Sequence, residues 1–308
     1  MKSFAQTSAW TFPVRVGRRQ RSAPPRRGSV LVEFAMVSFV LYLLMVVLLD
    51  LGRASLATQT IQSAADVFAT ELARAPVGAT LTFEEALEEE NGYVSKTIFD
   101  EDYLVIVLEG GLGTQGGLDS YFAGLPIVNQ ILRPLMIRDT LQDGNETPVL
   151  RYPGAILQKD GSESGYTVRI PRVEYPEPGL DLSETVLEWL PVIQEVLPGP
   201  GAPSNFPIDS PGPFPGYVNV RVHYPYQAAA MSAFDEGYIV TGEDGDVSDS
   251  ATLPDGLSLP GWLEEDEPGP YAGPYGLGHH YAFLKKVRPY RRVLSIQAAA
   301  RREGIFRP

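Results

Sequence analysis

The chain contains no cysteine, and only three histidines and three tryptophans among its 308 residues. The missing cysteine excludes disulfide stabilisation, thiol chemistry and any cysteine-based zinc site. Scarce histidine narrows what is left. A serine nucleophile would need His223, His279 or His280 as its base, no spacing suggests such a pair, and there is no G-x-S-x-G elbow. The adjacent His279 and His280 point apart on a helix or a strand, so they cannot imitate H-E-x-x-H. His223 alternates with valines and reads as an exposed strand residue. The glycine-rich residues 110–117 hold no lysine and fail the phosphate-loop pattern. The acidic residues 243–255 lack, counted from Asp244, the EF-hand glycine and the closing glutamate, and read as a solvated loop. These gaps predict no catalytic residue, no metal and no cofactor, hence a protein that is not an enzyme.

Two further absences are positional. Residues 1–28 hold Lys2, Arg15, Arg18, Arg19, Arg21, Arg26 and Arg27 but no acid. Residues 34–49 hold no charge of either sign. Those 16 residues correspond to roughly 24 Å of helix. A bilayer core asks for about 20 apolar residues, within about 17–25. Residues 30–51 reach that length if Glu33 and Asp50 lie near the two head-group layers. Backbone in lipid must satisfy its own hydrogen bonds, so the segment is expected to be a transmembrane helix. A helix buried on all sides in a soluble core would need more surrounding chain than the sequence offers. A signal peptide would have a shorter apolar region and an A-x-A-like site, and 49–53 has none.

Orientation follows from charge. Beyond Gly28 lie 18 of the 25 bases and all 38 acids, a balance of −20. Lys and Arg beside a membrane helix stay cytoplasmic. The N-terminus is therefore expected inside the cytoplasmic membrane and the acidic remainder outside. Its acidity also argues against nucleic acid as a partner. The leader's own bases read as topology and lipid signals.

Glu33 stands out within the apolar stretch, since a carboxylate at mid-bilayer costs about 2.5–3.5 kcal/mol on insertion scales. It is either a membrane-edge residue whose charge reaches the head groups or a group with a partner. If the chain is cut after Gly28, Ser29 gains a free ammonium and Glu33 becomes the fifth residue. A neighbouring subunit's Glu33 could then neutralise that amine.

Arg26-Arg27-Gly28 followed by Ser29-Val30-Leu31-Val32-Glu33-Phe34 resembles the type IV prepilin pattern. Val32-Glu33-Phe34-Ala35 and Leu49-Asp50-Leu51-Gly52-Arg53 together resemble the TadE-like pseudopilins of bacterial tight-adherence (Tad) pilus systems. The close resemblance covers about 25 residues, and 308 residues is long for a compact TadE-like protein. It implies a processing site at Gly28 and Ser29 and assembly residues Glu33 and Phe34. The implied partners are a prepilin peptidase, other pilins and pseudopilins, and the bilayer. It also implies location in the cytoplasmic membrane as a single-pass protein, with incorporation into a pilus as a further destination.

The predicted fold is α+β: a transmembrane helix extending into a long pilin-like helix, then a head with an antiparallel sheet and Pro-rich excursions. The expected divisions are a disordered leader 1–28, the membrane helix 29–52, a helical stalk 53–92 and a head 93–308 with a Pro-rich insertion 171–216. In the stalk, Ala57, Ile61, Ala64, Ala65, Phe68, Leu72 and Ala75 form an apolar stripe of helical period, ended by Pro76 and Gly78. From 30 to 75 such a helix would run about 69 Å. Thr82 to Glu85 reads as a capping box. Residues 103–108 read as a buried strand and 120–137 as a helix kinked at Pro126 and Pro134. Residues 149–157 and 166–175 read as strands, and Ser183 as the cap of a helix running to Leu197. With 11 prolines, 171–215 is expected largely to resist regular structure. Residues 217–224 are the clearest strand, stopped by Pro225-Tyr226, and that Tyr-Pro-Tyr ending again resembles TadE-like heads. Residues 291–296 read as a final strand.

Two function classes fit. One is a structural minor pseudopilin, trimmed by a prepilin peptidase and acting in Tad-type pilus assembly or adhesion. The other is an uncleaved single-pass protein whose outer domain binds a ligand or envelope component.

Overall fold

The computed structural model describes residues 27–88, 92–108, 112, 115–141, 147–159, 165–174, 186–199, 201–233, 256–258, 280–282 and 285–303. The chain divides into two units, Met1–Met45 and Val46–Pro308. A single helix, α1 (Arg27–Arg74), contributes its first part to one unit and its last part to the other.

In the first unit the described residues from Val30 onward are helical, and their large apolar side chains are exposed, as with Leu31, Phe34 and Met36. By length and composition this helix can cross a membrane, and none of its most apolar window is buried.

The second unit is built on the last turns of α1. The apolar stripe predicted there is its core: Ala57, Ile61, Ala64, Ala65, Phe68 and Leu72 are all buried, while Gln59, Gln62 and Asp66 are exposed. Phe68 packs against Phe83 and Phe99, with ring centroids 6.0 and 6.1 Å away. Phe83 opens α2 (Phe83–Glu88) behind the predicted capping box. The Thr82 main-chain N donates to Glu85 Oε2 at 2.8 Å, and Glu85 N donates to Thr82 Oγ1 at 3.3 Å. Two orphan amides of the first turn are thereby satisfied.

After α3 (Tyr93–Thr97) and a 3-10 turn at Glu101–Leu104 comes the short strand β1 (Val105–Val107), so only half of the strand expected at 103–108 is extended. The single kinked helix expected at 120–137 is two helices, α4 (Gln115–Ala123) and α5 (Ile127–Leu132), with Pro126 at the N-cap of α5. Proline disfavours helical geometry in the residue before it, so the chain breaks there instead of bending. A small second cluster of Ile106, Leu108, Leu118, Phe122, Leu125 and Leu150 packs beneath these helices.

The segment 149–157 is divided between two sheets. β2 (Ile137–Leu141) and β1 flank β3 (Thr147–Arg151), whereas β4 (Ala155–Lys159) pairs with β5 (Tyr166–Glu174). Gly154 makes the transfer at φ 147°, and a Cβ there would lie 2.6 Å from Val168 Cγ1 and 2.8 Å from Arg169 O. No side chain fits that turn. Buried Arg151 holds it from the other side, bonded to Asp139 at 2.7 Å and to Gly154 O at 2.8 Å.

The helix expected from Ser183 to Leu197 is instead two strands, β6 (Val186–Pro191) and β7 (Ile193–Glu195); Ser183 itself lies outside the described residues. β6 pairs antiparallel with β5. Pro171 is tolerated in β5 because the pairing with β4 ends at Ala155↔Arg169, leaving it, among the described residues, a strand partner on one side only. The proline-rich residues 201–216 form turns tied down by main-chain bonds, with Asn205 N donating to Glu195 Oε1 at 2.8 Å and Ile208 N to Ala79 O at 2.9 Å.

β8 (Tyr217–Ala233) does not stop at Pro225. Its partner β7 ends at Ile193↔Val222, so at Pro225 β11 (Lys285–Arg301) is the neighbour among described residues, and the missing N–H costs no ladder on the other side. The short β9 (Leu257–Ser258) extends the β4–β5–β6 sheet, and β10 (His280–Ala282) pairs with the start of β11. β11 is much longer than the expected 291–296 and includes the alanines at 298–300. Val218, Val220 and Val222 are buried in the core beside the α1 stripe. The acidic residues 243–255 lie outside the described residues. The whole is α+β, a long N-terminal apolar helix followed by a head rich in antiparallel sheet.

Candidate functional site

Gly28, Ser29, Glu33 and Phe34 all lie on the first turns of α1, so the sequence-predicted positions share one regular element. Ser29 and Glu33 are four residues apart and occupy one helix face. Glu33 is exposed, Phe34 is 71% exposed, and Glu33 has no hydrogen-bond or ion-pair partner among the described residues. The helix surface from Val30 to Leu49 is almost continuously exposed and apolar, far beyond the isolated apolar residues of a soluble surface.

The exposed run is interrupted at Asp50, which is 2% exposed, and from Ala57 onward one face of the helix is buried. The Asp50 main-chain oxygen accepts a 2.6 Å hydrogen bond from Tyr226 Oη. Arg53, one turn on, stands close enough to Tyr224 and Tyr226 to favour their ionised forms. Burial works the other way and pushes both phenols up, with the Asp50 charge adding to the effect at Tyr226. The two fragments that resembled TadE-like proteins, Asp50-Leu51-Gly52-Arg53 and Tyr224-Pro225-Tyr226, therefore meet although 176 residues separate Tyr226 from Asp50.

Behind them a tyrosine row continues. Tyr224 packs edge-on against Tyr152 at 5.7 Å, and Tyr152 Oη donates to His223 O at 2.8 Å. Burial raises the Tyr152 phenol well above its ordinary range. His223 is not exposed, as its alternation had suggested: it is 1% exposed, and its Nδ1 lies 2.8 Å from Ser295 Oγ across the β8–β11 pair. Sequence separation hid this pair, since 72 residues intervene. Among the described residues no group of three or more acids and histidines is placed to hold a metal ion.

Tyr226→Phe should cost about 1 kcal/mol, because the Asp50 carbonyl keeps its place in the helix ladder and loses only the second bond. In thermal unfolding of the detergent-solubilised protein that is a fall of roughly 2–4 °C for a unit of this size. An unchanged midpoint would show that the Tyr226 contact adds nothing to the packing of α1 in this unit.

The family model described as TadE-like protein matches residues 28–69. No curated protein and no solved structure matches the chain. The matched region starts at the predicted processing glycine, covers the exposed apolar helix and the Asp50–Arg53 turn, and ends within the buried stripe. It supports a pseudopilin associated with a Tad pilus in general, a family of structural pilus components rather than a known enzyme family. Residues 28–69 of this chain are thus a TadE-like segment, consistent with a TadE-like pseudopilin.

Proposed function

We propose that the chain is a minor pseudopilin of a Tad-type pilus, anchored in the cytoplasmic membrane by α1 with its N-terminus inside and its head outside. A prepilin peptidase removes residues 1–28 by cutting between Gly28 and Ser29. The mature chain then takes part in pilus assembly or adhesion through contacts with other pilins and pseudopilins, to which Glu33 and Phe34 contribute.

The observation that carries this reading is the change along α1. From Val30 to Leu49 the helix exposes an almost continuous apolar surface, and from Ala57 the same helix buries a stripe in an α+β unit. A helix of that kind needs an apolar medium for its first part, which a bilayer and then a helical bundle of pilins supply. The leader bases and the acidic remainder support the orientation.

The test is the N-terminus of protein isolated from native membranes. Mass measurement should find a chain beginning at Ser29. A chain still beginning at Met1 would remove the pseudopilin reading and leave an uncleaved anchored protein.

A further inference from the structure

Residues 201–216 carry five prolines and a single charge, Asp209. A surface turn is ordinarily polar, yet this one leaves Ile208 43% and Phe214 53% exposed, with Pro211, Pro213 and Pro215 exposed around the phenylalanine. Among the described residues past Leu56, Phe214 is the most exposed large apolar side chain. The segment is tied at its base. Gly216 N donates to Pro207 O at 3.0 Å and Tyr217 N to Asn205 O at 3.1 Å. Gly212 N donates to Ser210 Oγ at 3.0 Å. A Cβ on Gly212 would lie 2.9 Å from Asn205 Oδ1 and 3.1 Å from Ser210 Oγ, so the turn is pressed onto buried Asn205 there. The prolines fix φ at 211, 213 and 215. Phe214 is thus held out on a stiff turn, its ring edge-on to Tyr217 at 6.2 Å. The place of the turn in the second unit is equally fixed. Ile208 N donates to Ala79 O at 2.9 Å, and Arg302 donates its main-chain N to Gly216 O and its Nη2 to Val77 O and Gly78 O. The turn therefore sits against the chain that leaves α1 after Arg74, and Asp50 lies 24 residues back along the helix, roughly 36 Å.

We propose that this turn is a contact for another protein, which receives Phe214 and its flanking prolines in an apolar, aromatic-lined pocket. The inference takes from the reading above only that Asp50 marks the membrane side of the unit. On that reading the turn is too far along α1 for lipid to cover it. Three features fit a protein pocket. Prolines 211, 213 and 215 offer no N–H, so recognition runs through apolar and ring contacts, and proline-rich segments are taken up by aromatic-lined grooves. An exposed aromatic ring is the side chain that most often anchors an interface when a pocket desolvates it. A turn already tied down loses little conformational freedom on binding, which lowers the cost of association. Asp209, exposed beside Ile208, is the one charge of the turn and matches a base at the pocket rim.

The experiment uses the full-length protein in its native cells, with the photoreactive residue p-benzoylphenylalanine in place of Ile208. Irradiation should crosslink it to another protein, at a peptide that contains Phe, Tyr or Trp. The same group in place of Ile137, 41% exposed in β2, should give no such product. With the probe at 208, Phe214→Ser should cut the crosslink on the order of tenfold, and Phe214→Leu should retain most of it. Asp209→Lys, which touches none of the ties of the turn, should weaken it as well. No crosslink from 208, a crosslink only to lipid or to a second copy of this chain, or an undiminished crosslink in Phe214→Ser overturns the inference. The N-terminal mass of the same protein separates the two levels of failure. A chain beginning at Ser29 without the crosslink counts against this contact alone, whereas a chain beginning at Met1 counts against the pseudopilin reading and leaves the contact to be decided by its crosslink.

Discussion

Gly28→Leu should leave the protein in the membrane at full length, with its N-terminus still at Met1 and no detectable Ser29 product. The residue before the scissile bond must enter the peptidase site immediately ahead of a stiff apolar helix. Gly28 is the second residue of α1, at the N-terminal end of the helix where the backbone opens most easily. Glycine lets the backbone open and approach the protease closely, and a branched side chain blocks both. Insertion should be unaffected, because residues 30–49 are unchanged. N-terminal mass of the variant against the native chain reads the result. Normal cleavage of Gly28→Leu would show that the glycine is not what the peptidase reads.

Glu33→Val should spare insertion, even improve it slightly, and impair assembly by roughly a hundredfold to several thousandfold, the scale for losing one partner of a buried ion pair. The carboxylate is exposed on α1 and has no partner among the described residues, so whatever neutralises it comes from outside those residues. In the proposed filament that group is the Ser29 ammonium of a neighbour, which the variant leaves buried and unpaired. Glu33→Asp should fall between, keeping the charge and shortening its reach. A membrane-edge glutamate whose charge simply reaches the head groups would give no assembly defect with either substitution. Crosslinking to other pilins in membranes decides between the two, and normal crosslinking with valine at this position leaves Glu33 a membrane-edge residue.

The features legible in the sequence are the local ones. α1 is set by a long uncharged run followed by an apolar stripe of helical period, and both are properties of neighbours within a few turns. The capping box at Thr82 and Glu85 spans three residues and could be read directly. Residues 28–69, where the family match lies, are of this kind. Elements whose state depends on a distant strand were not legible. Residues 186–195 have a short apolar pattern that suits helix or strand equally, and pairing of 186–191 with β5 and of 193–195 with β8 makes them extended. Pro225 looks like a strand terminus until it is known that β7 has already ended at Val222. His223 is buried because Ser295, 72 residues on, comes opposite it in β11. The sequence alone determined the long apolar helix and its charged flanks, and it nominated Gly28, Ser29, Glu33 and Phe34 as positions to test. Only the tertiary structure brought Tyr226 onto Asp50 and Ser295 opposite His223, because hydrogen bonds between strands and helices join residues that no local pattern connects.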